Sequence, residues 1–187
     1  MVDAVAAFGK ARWAVVSGDG AVIFVTVGAQ MPFDRLVRTV DHWARANGRD
    51  DVFAQIGQSE YRPSNMQWAR FLSPDEFKQK YETAKVIVAH AGTGSLITAL
   101  QLGKPILIMP RRASLRETRN DHQVATSEQF RRFGSVTVAW DENELIEKLE
   151  SVDDLRGESR GIEPHASKEL IKAMREFIDG DRIVRDA

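Results

Sequence analysis

The chain has 187 residues, of which 43% are hydrophobic and 28% are charged, as expected for one soluble domain with a sizeable core. Lys and Arg number 26 against 27 Asp and Glu, so a formal net charge of −1 gives no overall attraction to nucleic acid or to an anionic membrane. The absence of cysteine excludes disulfides, thiolate nucleophiles and cysteine-based zinc sites.

The first predicted elements are one strand and one helix. Residues 1–20 form an Ala-rich N-terminal extension that is compatible with either a short helix or a strand. The run Val22–Val27 is continuously apolar, which is typical of a strand buried on both faces, as in a parallel sheet. Four apolar residues then recur at helical spacing and predict a helix that ends near residues 47–48: Leu36, Val37, Val40 and Trp43.

This order of strand and helix continues along the chain. Ser73-Pro74-Asp75-Glu76 has the pattern of a capping box and predicts a helix with Phe77, Tyr81 and Ala84 on one face. Asp141-Glu142-Asn143-Glu144 begins another helix, with Leu145, Ile146 and Leu149 expected to face inward. Helices are also predicted from residue 92 and over about 120–133, and strands at residues 52–56, 66–71, 86–89, 105–110 and 135–139.

The alternation predicts a Rossmann-like, doubly wound α/β fold with a mainly parallel sheet. We assign residues 21–150 to this ligand-binding domain and residues 151–187 to a polar linker and a C-terminal amphipathic helix. That last helix carries an apolar stripe that fits core packing or a partner-docking face: Leu170, Ile171, Met174, Phe177 and Ile178. Since Met1–Gly20 lacks the pattern of a signal peptide and no apolar run approaches ~18 residues, we expect a cytoplasmic protein.

Three segments follow predicted strands, where open α/β sheets bind ligands. They are Gly28-Ala29-Gln30, His90-Ala91-Gly92-Thr93-Gly94-Ser95 and the basic stretch Arg111–Gln123. In the second segment, glycines permit close backbone approach and the new helix directs free N–H groups outward, which suits a phosphate or diphosphate. The segment is not a Walker loop, because no Gly-Lys-Ser/Thr ends it, and it lacks the third glycine of a dinucleotide fingerprint.

The combination of these motifs, from Val22 to about Phe133, resembles the C-terminal domain of family-28 glycosyltransferases. The resemblance is to its small stand-alone members, which include a eukaryotic N-acetylglucosaminyltransferase subunit and bacterial exopolysaccharide transferase subunits, among them glucuronosyl ones. It rests on Val25-Thr26-Val27-Gly28, Val88-Ala89 with His90–Ser95, Gly103-Lys104-Pro105-Ile106, Met109-Pro110-Arg111 and Asn120-Asp121-His122-Gln123.

The resemblance implies the donor-binding half of a GT-B fold, which binds a UDP-sugar without a metal or other cofactor. Gly92, Thr93, Gly94 and Ser95 would face the donor diphosphate, and Gly28, Ala29 and Gln30 would line the same cleft. Asp121 and Gln123 would hydrogen-bond the donor sugar. The same comparison puts Thr98 where larger relatives have a Glu that binds the ribose, and a threonine cannot hold both ribose hydroxyls as a carboxylate does.

Several of these residues also have a purely structural interpretation. His90 fits either a buried histidine satisfied by backbone groups or a site residue, and His122 fits either a surface position or the site. Arg111, Arg112, Arg116 and Arg119 form a solvated loop, or they neutralise a diphosphate, a sugar carboxylate or the phosphates of a lipid-linked acceptor. Asp179-Gly180-Asp181 looks like a metal-binding motif, but it follows the last predicted helix and is interpreted as a polar tail.

The catalytic base is not evident in the sequence. We therefore expect a membrane-anchored partner subunit that binds a lipid-linked glycan acceptor, supplies the base and recruits this chain to the cytoplasmic face of the inner membrane. The expected reaction is inverting sugar transfer in exopolysaccharide biosynthesis, with UDP-glucuronic acid as an attractive donor because of the arginines. The alternatives are a non-catalytic UDP-sugar-binding or regulatory subunit and a nucleotide-sugar epimerase-like protein.

Overall fold

The apolar runs of the sequence form a six-stranded parallel sheet in the computed structural model, which describes residues 23–132 and 136–156. The strands are β1 Ile23–Thr26, β2 Val52–Gln55, β3 Gln67–Ala69, β4 Val86–His90, β5 Ile106–Met109 and β6 Val136–Val138. The α-helices are α1 Asp34–Ala46, α2 Pro74–Thr83, α3 Thr93–Gln101, α4 His122–Phe130 and α5 Glu142–Glu150. Short 3-10 turns cover Ala113–Leu115 and Val152–Asp154. The predicted α/β class and parallel sheet are confirmed.

The strand order β3-β2-β1-β4-β5-β6 places a topological switch point in the middle of the sheet. From β1 the chain moves outward through β2 and β3, and it then returns to pair β4 beside β1 before moving outward on the other side. The loops that follow β1 and β4 therefore diverge and leave a crevice between them, where ligands bind in folds of this type.

Two hydrophobic clusters cover the two faces of the sheet. Because side chains alternate along a strand, Ile23 and Val25 pack in one cluster with α1 and α5, whereas Phe24 packs in the other with Tyr81 of α2. Burial on both faces explains why the strands are continuously apolar. The first cluster also contains Val152, so the packed core extends past the last residue of α5.

Side-chain caps begin two of the helices as predicted. The Ser73 hydroxyl accepts a hydrogen bond from the Glu76 N–H, and the Glu76 carboxylate accepts one from the Ser73 N–H at 2.8 Å, which completes the capping box of α2. The Asp141 carboxylate accepts from the Glu144 N–H at 3.0 Å at the start of α5. These caps satisfy backbone donors that have no partner inside the helix.

One expectation about the packing is wrong. Ile146 does not face inward: its side chain is 40% exposed, while Leu145 and Leu149 are fully buried. Adjacent helix positions are about 100° apart, so a residue next to Leu145 is carried toward solvent. The expectations for residues 1–20, the C-terminal helix and Asp179-Gly180-Asp181 lie outside the described residues.

A buried carboxylate fixes the long connection between β2 and β3. Asp41 of α1 accepts hydrogen bonds from the Tyr61 hydroxyl at 2.7 Å and from the Asn65 N–H at 2.8 Å. Burial alone raises the pKa of Asp41, but these hydrogen bonds outweigh it and lower the pKa below its usual value. The connection is thus tied to α1.

Candidate nucleotide-binding site

An open cleft of about 380 Å³ lies at the carboxyl ends of β1, β4 and β5. It lies at the switch point and brings together the three segments that the sequence predicts to be near the ligand. The residues that line it come from all three: Val27, Ala29, Gln30, Met31, His90, Gly92, Arg111, Thr118, His122 and Gln123. Val27, Met31 and Thr118 were not predicted, although each is within three residues of a predicted one.

The imidazole of His90 packs between two glycines at the floor of the cleft. A Cβ atom added to Gly92 would lie 2.2 Å from His90 Nε2, and one added to Gly28 would lie 2.8 Å from His90 Cε1. Gly28 also has a φ of +74°, which side chains rarely adopt, whereas Gly92 has an ordinary φ of −84°. The missing side chain of Gly92 thus makes room for the histidine ring.

His90 is neutral at neutral pH. Burial and, after it, the charge of Arg111 together lower its pKa to about 4, while the backbone of Thr26 acts in the opposite direction. Its Nδ1 atom is buried and has no hydrogen-bond partner among the described residues. The backbone of Thr26 interacts with the ring and His90 lines the cleft, so its structural interpretation and its role as a site residue both stay predictions.

The start of α3 is open to the outside. Gly92 is its N-cap residue and offers no side-chain cap, and the first turn contains no acidic residue. Thr93 and Gly94 are exposed, and a Cβ added to Gly94 would have no atom of the described residues within 4 Å. The first-turn N–H groups of a helix have no intrahelical acceptor and carry the positive end of the helix dipole, so an anion is a suitable external partner.

Three other predicted residues of this region make contacts within the protein. Ala91 is buried in the sheet core. The Ser95 carbonyl accepts a hydrogen bond from the Tyr81 hydroxyl at 3.3 Å, and the Thr98 hydroxyl donates to the Gly94 carbonyl at 2.9 Å. The hydroxyl proton of Thr98 is therefore used by its own helix, and only its oxygen lone pairs remain for a ribose.

The segment Asn120–Gln123 places its four side chains differently. Asp121 Oδ1 accepts from the Ala113 N–H at 2.8 Å, and Gln123 Oε1 accepts from the Arg111 N–H at 3.2 Å, so both hold the basic loop. Asn120 Oδ1 accepts from the N–H of His122 and is also in contact with His122 Nδ1. Of the four, His122 and Gln123 line the cleft.

The contacts of Asn120 favour one tautomer of His122. A backbone N–H can only donate, so the atom of Asn120 that it meets must be the amide oxygen. That oxygen can only accept, so His122 Nδ1 must carry a hydrogen atom. In neutral His122 the other ring nitrogen, Nε2, therefore has a free lone pair.

The basic loop 111–119 is pinned to α1 by a residue pair that sequence reasoning missed. Arg35 forms a two-pronged ion pair with Glu117, with N–O distances of 2.7 and 2.8 Å, and also donates to the Pro110 carbonyl. Glu117 in turn accepts from the Arg112 N–H at 3.0 Å. The two residues are 82 positions apart, so no local pattern could have indicated the pairing.

The four arginines of the loop divide into two pairs. Arg111 is buried, and the Arg112 guanidinium donates to the Trp140 carbonyl at 2.8 Å. Arg116 and Arg119 are exposed, as expected for a solvated loop, and Arg116 has a left-handed φ of 58°. The loop thus combines structural and solvent-facing cations.

A second cavity, of about 490 Å³, lies at the opposite end of the sheet. Its lining includes Ile23 and Val86, the first residues of β1 and β4, together with Lys85, Asp153 and Arg156. Although it is larger, it is at the amino ends of the strands, where doubly wound sheets do not bind their ligands. We therefore place the candidate site at the carboxyl ends. In the part of the chain that the structure describes, no group of three or more acidic or histidine side chains could hold a metal ion.

A parallel, doubly wound sheet with a glycine-rich helix start at its switch point defines a Rossmann-like domain. The sequence model of the family described as "Glycosyltransferase family 28 C-terminal domain" matches residues 22–179 of this chain. Because this match covers most of the sequence, the chain belongs to that family.

The human UDP-N-acetylglucosamine transferase subunit ALG13 is 26% identical over 122 residues, which are 60% of this chain but 10% of that protein. The NMR structure of ALG13 superposes with a TM-score of 0.54 at 18% identity, covering 82% of this chain and 94% of that one. The crystal structure of the kitacinnamycin glycotransferase superposes with a TM-score of 0.59 at 22% identity, covering 84% of this chain and 40% of that one. The structure of a UDP-GlcNAc 2-epimerase from Neisseria meningitidis, bound to UDP-GlcNAc, superposes with a TM-score of 0.57 at 13% identity. It covers 88% of this chain and 47% of the epimerase. These structures share the fold, and the predicted likeness to a small stand-alone subunit is confirmed by the ALG13 match.

Proposed function

We propose that this chain is the donor-binding half of a glycosyltransferase, which holds a UDP-sugar in the cleft between β1 and β4. The observation that carries the proposal is the uncapped, glycine-rich start of α3 at the switch point of the sheet. Membership of a glycosyltransferase family and the name of the human relative, a UDP-N-acetylglucosamine transferase subunit, support a UDP-sugar as the ligand.

Sugar transfer from a nucleotide diphosphate has two chemical requirements. When the sugar leaves, negative charge grows on the nucleotide diphosphate, and N–H groups that already point at it stabilise that charge without reorganising. Helix α3 offers such groups. Inverting transfer also needs a base beside the acceptor hydroxyl. His122 lines the cleft and Asp121 is held by the basic loop, and we propose that a second polypeptide supplies the base.

We propose that a second, membrane-anchored polypeptide completes the active site and presents a lipid-linked acceptor. The likeness to ALG13, which is named as a transferase subunit, supports an enzyme divided between two chains. The cleft is open rather than enclosed, as expected if a second domain covers it. None of the helices in residues 23–132 and 136–156 is long and apolar enough to cross a membrane. In this proposal, the partner recruits the chain to the cytoplasmic face of the inner membrane.

Two donors are worth comparing first. Arg116 and Arg119 are exposed on the loop that also contributes Thr118 to the cleft, and a guanidinium is well suited to the carboxylate of glucuronic acid. The name of the human relative points instead to N-acetylglucosamine. The proposed pathway is the synthesis of an exopolysaccharide on a lipid carrier.

The first test is titration of the full chain with UDP, UDP-glucuronic acid and UDP-N-acetylglucosamine. We expect saturable binding of UDP and tighter binding of one of the two sugars. Transfer to a lipid-linked acceptor should appear only when membranes from the native cell are added. A complete lack of UDP binding would contradict the proposal, and efficient transfer by the chain alone would contradict the divided enzyme.

An epimerase-like protein is the second candidate, favoured by the fold shared with the UDP-GlcNAc 2-epimerase. That likeness is at 13% identity and this chain covers 47% of the epimerase, so it supports the shared sheet rather than the activity. Incubation of the chain with UDP-N-acetylglucosamine and analysis of the sugar separates the two candidates. Appearance of the 2-epimer would favour the epimerase. A non-catalytic regulatory subunit would bind UDP-sugar but give no transfer with any membrane fraction.

A further inference from the structure

Arg111 is a buried cation that has no acidic partner within residues 23–132 and 136–156. Its side chain is 4% exposed, and one guanidinium nitrogen, Nη2, donates to the Val27 carbonyl at 2.8 Å and to the Met31 carbonyl at 2.5 Å. The guanidinium carbon also lies 5.1 Å from the centre of the Phe33 ring. Among the described residues no carboxylate forms an ion pair with Arg111, and its Nε atom is buried without a hydrogen-bond partner.

The nearby carboxylate does not neutralise this charge. Glu117 is bound by both prongs of Arg35 and by the Arg112 N–H. Burial lowers the pKa of Arg111 to about 10, with the charge of Glu117 acting in the opposite direction, so the guanidinium stays protonated at neutral pH. A buried charge that is compensated only by carbonyl dipoles is costly unless another group neutralises it.

The position of Arg111 indicates which kind of group could neutralise its charge. Arg111 lines the cleft together with Gly92, the residue from which α3 begins. Its positive charge reaches the cleft, because it contributes to the lowered pKa of His90. His90 is neutral and Arg116 is solvated, so Arg111 is the fixed positive charge at the cleft floor among the described residues.

We infer that Arg111 supplies the positive charge that receives the diphosphate of the bound nucleotide, opposite the N–H groups at the start of α3. The inference rests on the proposed function and adds a specific residue to it. The two bonds to the β1–α1 loop hold the guanidinium in place before the ligand arrives, so the ligand meets a preorganised cation. Nucleotides with more phosphate charge should therefore depend more strongly on Arg111.

The test is the affinity of the full chain for UDP, UMP and uridine, measured by NMR titration in Arg111→Met, Arg111→Lys and a matched control, Arg116→Met. In Arg111→Met the preference for UDP over uridine should fall about 10- to 100-fold, as for the loss of a strong charge-assisted contact, with UMP in between. Arg111→Lys keeps the charge and should keep the preference within about threefold. Arg116→Met, in the same loop, should change it by less than about twofold.

The variants distinguish an electrostatic role of Arg111 in ligand binding from a purely structural role in holding the loops together. If Arg111 only ties loops together, Met and Lys should weaken UDP and uridine equally, because a lysine cannot reproduce the planar donor group of arginine. That result would overturn the inference, and so would an unchanged UDP preference in Arg111→Met. If Arg111→Met does not fold, Arg111→Gln, which keeps hydrogen-bond donors but removes the charge, takes its place: a fall in the preference for UDP over uridine is expected, and an unchanged preference would overturn the inference. Failure of the wild-type chain to bind UDP would instead contradict the proposed function.

Discussion

Replacing Gly94 with aspartate is expected to weaken UDP binding by about 100-fold or more while leaving the protein as stable as the wild type, or more so. Gly94 lies in the first turn of α3, and an added Cβ would meet no atom of residues 23–132 and 136–156 within 4 Å, so the fold accommodates the side chain. A carboxylate there would stand in the space we assign to the diphosphate. Two like charges about 4 Å apart repel by roughly 4 kcal/mol at an effective dielectric constant of 20.

The two effects of this substitution have opposite signs, which makes it informative. Aspartate has a higher helix propensity than glycine and interacts favourably with the helix dipole at the N-terminus, so stability should rise by about 0.5–1 kcal/mol. Gly94→Asn is the matched control, with the same shape and no charge, and should weaken UDP less. Calorimetric titration and thermal unfolding measure the two effects. An aspartate variant that binds UDP within about twofold of the wild type would show that the diphosphate lies elsewhere.

Replacing Gly92 with alanine should destabilise the protein by about 1–3 kcal/mol, the usual cost of overpacking. The new Cβ would lie 2.2 Å from His90 Nε2, a contact so short that the ring or the backbone would have to shift. His90→Ala removes the ring, so Gly92→Ala should be nearly neutral in that background. Urea unfolding of the two single variants and the double variant gives their interaction energy.

Gly28 provides a matched comparison with Gly92, because its φ of +74° is unfavourable for alanine regardless of space. Gly28→Ala should be destabilising both because of the unfavourable φ and because the new Cβ would clash with the His90 ring. Removal of the ring should relieve only the clash. About 1–2 kcal/mol of backbone strain should therefore remain in the double variant. If His90→Ala rescued neither glycine substitution, the packing of the ring between Gly28 and Gly92 would be contradicted.

The architecture could be predicted from sequence because it depends on local patterns. Continuous apolar runs such as Val22–Val27 predict strands buried on both faces, and Ser73 with Glu76 predicts the capping box that begins α2. The glycine-rich start of α3 is likewise a local signal. Ile146 was placed wrongly because apolar character alone does not distinguish adjacent helix positions.

The inner arrangement of the site could not be predicted, because its contacts join distant parts of the chain. Arg35 and Glu117 meet across 82 residues, and Arg111 reaches the Val27 carbonyl across 84. The order of the strands, set by the pairing of β4 with β1, brings Gly28 against His90. The sequence identifies the loops that meet at the switch point, but which side chain turns toward the ligand depends on packing among those loops.

The most direct test of the account is the structure of the full chain with UDP bound. We predict that the pyrophosphate lies against the N–H groups of Thr93, Gly94 and Ser95, with Arg111 on the opposite side of the cleft. Density for UDP in the cavity at the amino ends of the strands, beside Lys85 and Arg156, would contradict this placement.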